Sequence, residues 1–213
     1  MDTSQLATQI VIGLSVLLVL WYPFGRRMNR RRGLQALRWL REGIRAYEGQ
    51  ASVNWVGASA FRVEVQGALG PFKRVGMMVL LEAREMLLLW IFNRLRGQRD
   101  MLVIRGDLRL KPKTDLELTR RGRRAGRAMR ALEKEGWTVD GLNGMFIALK
   151  RGKDTEIASR LTSALSEEAL QLVRLSLRKR TPHLIANFHL SGLERRRAES
   201  LFHFLERVME IVG

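Results

Sequence analysis

The residues best suited to chemistry in this chain are arginines, gathered in two dense runs and along one alternating stretch. The first run, Arg26, Arg27, Arg30, Arg31 and Arg32, holds no acidic residue and directly follows an apolar segment. The second, Arg120, Arg121, Arg123, Arg124 and Arg127, opens an expected helix whose other face carries Ala125, Met129 and Leu132. Guanidinium groups grip phosphates in bidentate fashion, so both runs are candidate sites for anions or lipid headgroups. Positive charge at a helix N-terminus opposes the helix dipole, which hints at an external anion over the second run. The plainer alternative is the solvated start of a surface helix.

Alternation supplies a third set. Leu102, Ile104, Leu108 and Leu110 share one strand face, as do Val173, Leu175, Leu177, Leu184, Ala186, Phe188 and Leu190, and these would meet helices. The opposite face then carries Asp107 and Ser176 together with Arg105, Arg109, Arg174, Arg178, His183, Asn187 and His189, the last seven being candidate ligand contacts. Sheets that bind nucleic acid usually add aromatic residues on which bases stack, and these outward positions contain none. The competing expectation is a solvated face with cross-strand ion pairs, such as Arg105 or Arg109 with Glu117.

Catalytic and metal chemistry find little support. With no cysteine, thiolate zinc sites, iron–sulfur clusters, disulfides and cysteine nucleophiles are excluded. Of three histidines, His183 and His189 lie six apart on one expected strand, about 20 Å, too far to share a metal. His203, between Phe202 and Phe204, reads as half-buried helix packing. The Gly67–Lys73 loop lacks the spacing and ending of a phosphate-binding P-loop, and no dinucleotide, zinc-protease or serine-hydrolase motif occurs. Glu167-Glu168 is the only adjacent acidic pair. The expectation is a non-catalytic protein with no catalytic residue, metal or cofactor.

What positions these groups begins with the membrane. Residues Leu6 to Phe24 run nineteen positions without a charge, about 28 Å as a helix, close to the thickness of a bilayer core. Trp21 and Tyr22 fall where an interfacial aromatic belt belongs, and Pro23 with Gly25 is expected to end the helix. Only Asp2 and the amino terminus precede the span. The positive-inside rule therefore keeps the arginine flank cytoplasmic and sends residues 1–5 across. A cleaved signal peptide would carry its positive charge before the apolar stretch and a small-residue site after it, the reverse of this arrangement. A second apolar stretch, Met77 to Leu95, is broken by Glu82, Arg84 and Glu85, so it is expected as a buried strand and a buried helix rather than a second span.

Residues 25–50 then read as a basic juxtamembrane segment and amphipathic helix, with Leu34, Leu37, Leu40, Ile44 and Tyr47 at helical spacing. That helix either lies on anionic lipid or connects the anchor to the domain by packing one stripe. From 51 to 213 the pattern is α+β: a hairpin about Gly57-Ala-Ser, then strand, helix, hairpin and helix, an order that recurs. The recurrence suggests pseudo-repeats at 72–136 and 143–213, with Pro112 and Pro182 at matching hairpin turns. The expected architecture is a two-layer sandwich, a mainly antiparallel sheet with helices on one face.

The net charge of +17 points to anionic surroundings, although 31 arginines against 7 lysines is also what a GC-rich gene produces. The expected role is a single-pass, membrane-anchored cytoplasmic binding or scaffold domain, non-catalytic, or an accessory subunit of a membrane complex. Its partners would be anionic lipid and an unidentified protein, with self-association open under every reading. One alternative is a membrane-tethered nucleic-acid or nucleotide binder using the arginine-rich sheet face. A second is an enzyme on a phosphorylated or lipid substrate, with a pocket near His183, Asn187 and Arg178.

Overall fold

The computed structural model describes residues 3–45, 50–142, 144–150, 160 and 171–212. Helix α1 (Thr3–Arg45) runs unbroken for 43 residues with Pro23 inside it, so Pro23 and Gly25 do not end the helix as their types suggest. A proline removes one N–H from the ladder, and a helix carries that loss when packing holds the segment beyond it. Here Gly25, Asn29, Gly33, Ala36, Leu40 and Gly43 form a buried stripe of mostly small residues at spacings of three and four. Helix α1 contains an 18-residue window of mean hydropathy 1.8, long and apolar enough to cross a membrane and with none of it buried.

Beyond α1 lies one nine-stranded sheet: β1 (Gln50–Trp55), β2 (Ala60–Leu69), β3 (Phe72–Leu80), β4 (Met101–Leu108), β5 (Leu116–Arg120), β6 (Thr138–Leu142), β7 (Met145–Leu149), β8 (Leu172–Leu177) and β9 (Leu184–His189). Their order is β1-β2-β3-β4-β9-β8-β5-β7-β6, and every neighbouring pair is antiparallel. The fold class is α+β. The first hairpin pairs Trp55 with Phe61 across a turn in which Gly57 takes φ +74, a conformation that favours glycine.

The expected hairpin about Lys111-Pro112-Lys113 does not form. β9 and β8 stand between β4 and β5, so the two halves of the chain differ at this step. Residues 109–115 bridge the gap easily: three strand spacings are about 14 Å, and seven residues reach roughly 24 Å. The helix expected over 155–165, and Glu167-Glu168, lie outside the described residues.

The core lies between one sheet face and two helices. Phe61, Met77, Leu102, Ile104, Leu118, Leu175, Ala186 and Phe188 of the strands meet Trp39, Leu40 and Ile44 of α1 and Leu201, Phe204, Leu205 and Val208 of α5 (Ala198–Val212). Phe188 and Phe204 meet edge to face at 6.3 Å. One stripe of α1 after Gly25 thus packs on the domain, rotated from the expected one: Leu34 is exposed while Ala36 and Trp39 are buried, and Tyr47 lies outside the described residues. A short helix α4 (Leu190–Leu193) joins β9 to the turn before α5.

Helices are not confined to that face. α3 (Arg123–Lys134) covers the opposite face at the β6 edge, where Met129, Trp137 and Ala148 form a second small core with Leu132, Val139 and Phe146. The cause lies in β7. Met145, Ile147 and Leu149 serve the main core while Phe146 and Ala148 are also apolar, so this strand needs cover on both faces.

The remaining helix, α2 (Leu87–Leu95), departs furthest from expectation: none of its residues is buried. Leu110, expected against the helices, is also exposed, because β4 ends at Leu108.

Candidate functional site

Among the described residues, a dense polar network lies where α1 meets the domain. Asp100, the residue before β4, is buried and takes both NH groups of Arg84 at 3.0 Å, Arg32 Nε at 3.2 Å and the Glu82 backbone N–H at 2.8 Å. Burial alone would raise its pKa, but the donors of Arg84, the Glu82 amide and Arg32 together hold the carboxyl below its usual range. Arg32 also donates to Glu194 at 2.5 Å. Burial nevertheless dominates at Glu194 and, with the nearby Asp100 charge, pushes its pKa up despite the opposing Arg32.

Asn29, fully buried on α1, completes the junction. Its amide donates to the Glu82 carbonyl at 3.0 Å and to Glu85 at 2.6 Å, and its oxygen accepts from Arg84 at 3.0 Å. One turn earlier Gly25 lets the helix backbone approach the 82–86 loop; a Cβ there would stand 2.2 Å from the Arg84 carbonyl oxygen. Trp21 donates to that same carbonyl at 2.8 Å and stacks on Trp90 of α2 at 5.8 Å. Trp90 in turn donates to Glu82 at 2.6 Å, and Arg94 donates to Glu82 at 3.0 Å. Glu82, Arg84 and Glu85, which interrupt the second apolar stretch in the sequence, thus fasten α1 and α2 to the sheet.

Of the first arginine run, Arg26, Arg27, Arg30 and Arg31 are exposed, and Arg26 and Arg30 line a small pocket with Leu34 and Trp55. Arg32 differs. Its two acidic partners take it out of the headgroup-binding set.

Strand register relates the two runs. Leu80 pairs with Met101 and Met101 with His189; on the other side Thr119 pairs with Arg174 and Arg120 with Met145. The C-terminal end of β5 therefore lies at the sheet end occupied by Asp100 and the α1 junction. Arg120, Arg121, Arg123, Arg124 and Arg127 continue from that end into α3, exposed, with Arg121 over the Phe146 ring at 5.3 Å. Arg99 and Arg120 both act on His189, whose pKa is lowered by burial first and then by those two charges. One end of the sheet is thus a basic rim running from α1 to α3.

The open sheet face divides the seven candidate ligand contacts. Arg174 and Arg178 both donate to the buried Glu117, Arg178 at 2.9 Å, and Arg178 also stacks over Trp137 at 4.5 Å. Glu117 is therefore partnered by these two rather than by Arg105 or Arg109. His183 is buried, and its Nδ1 accepts the Leu108 backbone N–H at 3.1 Å, closing the β4–β9 ladder instead of facing outward. Arg109 lies beyond the end of β4, where its backbone N–H bonds the Pro71 carbonyl, beside Met209 and Glu206 of α5 on the helix side. Asn187 and His189 remain on the open face, and among the described residues buried Asn187 Oδ1 and His189 Nδ1 have no hydrogen-bond partner. His203 is exposed, 3.3 Å from Glu206, rather than packed.

Arg105 belongs to a group that alternation in β4, β8 and β9 alone misses. With Arg62, Arg74, Glu64, Asp107 and the turn at Thr181-Pro182 it surrounds a hollow of about 510 Å³. Gly76, opposite both Glu64 and Arg105, contributes no side chain to fill it. Arg62 and Arg74 were legible as outward residues of β2 and β3, alternating with Val63, Val65 and Val75. Among the described residues no group of three histidines or acidic residues is placed to hold a metal.

No protein-family model matches the chain, and no curated protein matches it significantly.

Proposed function

We propose that the chain is a single-pass membrane protein, its N-terminus outside, whose α+β domain is a non-catalytic binding or scaffold module on the cytoplasmic side, an accessory subunit of a membrane complex. The carrying observation is the register that puts the Arg120–Arg127 run at the sheet end where α1 enters the domain. An anchor that leaves the bilayer at that end turns the basic rim toward the anionic leaflet. Each exposed arginine near such a surface contributes on the order of 1 kcal/mol. The buried ion-pair network makes α1 and the domain one unit, so lipid contact and domain orientation are coupled.

Full-length protein in vesicles with and without anionic lipid tests the electrostatic part. Trypsin should cut the Arg120–Arg127 stretch more slowly when anionic lipid is present. Equal cleavage in both would remove the rim from the membrane surface. Crosslinking in native membranes, followed by purification in mild detergent, tests the scaffold part. A stoichiometric protein partner supports it, whereas lipid and copies of the chain alone would contradict the accessory-subunit role and favour self-association.

The hollow bounded by Arg62, Arg74 and Arg105 favours a second reading, a membrane-tethered nucleotide or nucleic-acid binder. Among the described residues the open face offers no uncovered aromatic, since Phe146 lies under α3. Binding there would be phosphate-led and steeply weakened by salt. A titration of full-length protein with RNA at several salt concentrations checks it; no binding at low salt would exclude it.

A further inference from the structure

α2 is an inverted surface helix. On the flank of a water-soluble domain, a helix turns its apolar stripe inward and its polar residues out. Here Trp90 and Arg94 give their donors inward to Glu82, while Leu88, Leu89, Ile91, Phe92 and Leu95 are exposed, Leu95 at 83% and Leu88 at 60%. Such a contiguous apolar surface calls for an occupant.

Its place in the molecule identifies one. α2 is bound to α1 through the Trp21–Trp90 stack, at the last turns of the apolar span. If α1 crosses the bilayer, α2 is held at the depth of Trp21, the headgroup–acyl boundary, whatever its own affinity for lipid. Charge placement agrees. Arg96 and Arg99 are exposed at its C-terminal end, the Arg96 guanidinium lying over the Phe92 ring at 4.0 Å as a cation–π contact, so positive charge borders the apolar face where phosphates would lie. Glu82, Arg84 and Glu85 do not oppose burial in lipid, because each is already bound within the junction.

We propose that α2 is a second membrane element, lying in the cytoplasmic leaflet beside α1 with its Leu88–Leu95 face against acyl chains. The proposal rests on the membrane-anchored reading of α1. It adds that the unit of α1 and domain is held at two points and so cannot tilt freely in the membrane.

The chain has no native cysteine, which makes site-specific labelling direct. Full-length single-cysteine variants Leu14→Cys in α1, Leu88→Cys in α2 and Leu110→Cys on the exposed far loop would each carry an environment-sensitive fluorophore in phosphatidylcholine–phosphatidylglycerol vesicles. Quenching by nitroxide lipids is compared with quenching by aqueous iodide. Labels at positions 14 and 88 should be quenched by lipid, the latter most strongly by shallow nitroxides, and the label at 110 by iodide. Lipid quenching at 14 with iodide quenching at 88 would overturn the α2 proposal and leave the anchor intact. Iodide quenching at 14 would overturn the anchor itself. Shielding of position 88 from both quenchers, or a disulfide between two Leu88→Cys chains in high yield, would mean that a protein surface covers α2, and would equally overturn the proposal.

Discussion

Asp100 is the residue on which the most structure converges. Removing its charge by Asp100→Asn takes the close carboxylate from Arg84, a largely buried guanidinium then left with Glu82 at 3.8 Å, and leaves Arg32 with Glu194 alone. Breaking one side of a buried pair typically costs about 3 kcal/mol, so denaturation of the full-length protein in detergent should show a loss of that order. The acid limb follows from the same carboxyl. Its folded pKa is lowered, so its stabilisation is complete above the unfolded value near 3.8 and is lost as pH falls through the folded value. His189 acts at milder pH. Its lowered pKa means the folded state prefers the neutral ring, so stability falls as pH drops from 6.5 toward the folded value. His189→Gln should remove that part of the pH dependence between neutral and mildly acidic conditions. Neither role was visible in sequence: Asp100 is a lone acid in a loop, and His183 and His189 look alike on alternation, yet one closes a ladder and the other faces Arg99 and Arg120.

At the scale of elements, small residues in α1 decide how it docks. Gly25→Ala places a methyl 2.2 Å from a backbone oxygen that cannot move without releasing the Trp21 bond, whereas Gly13 has nothing within 4 Å. Gly25→Ala should therefore destabilise by about 2 kcal/mol, and Gly13→Ala should cause no loss, in parallel denaturation of the two full-length variants. Strands and helices with clear periodicity were legible: the β1–β2 hairpin, the inward faces of β4 and β9, and the apolar stripe of α5. What failed were long-range choices. Nothing local in Lys111-Pro112-Lys113 says that β8 and β9 will stand between β4 and β5. β6 was missed although Asn143-Gly144 is a strong hairpin signal, and Gly144 takes φ +79. α2 was misplaced for an instructive reason: a helix apolar on its broad face looks the same whether protein or lipid covers it.

For the molecule as a whole, the charge follows a geometry. The +17 is not spread evenly in function, because Arg32, Arg84, Arg174 and Arg178 are spent on buried or half-buried carboxylates. Exposed arginines at the α1 junction and the start of α3 share one end of the sheet instead. An apolar N-terminal helix, a basic rim and an apolar side helix at the same end all support the proposed placement of the domain against the cytoplasmic leaflet. The class of fold and the apolar span could be read from the sequence, but the common placement of these three features required the strand order. The most direct test is topology in intact cells, using Ser4→Cys and Lys111→Cys variants of the full-length protein and a membrane-impermeant maleimide. The account predicts labelling at position 4 in intact cells and at position 111 only after lysis. Labelling at position 111 in intact cells would contradict it.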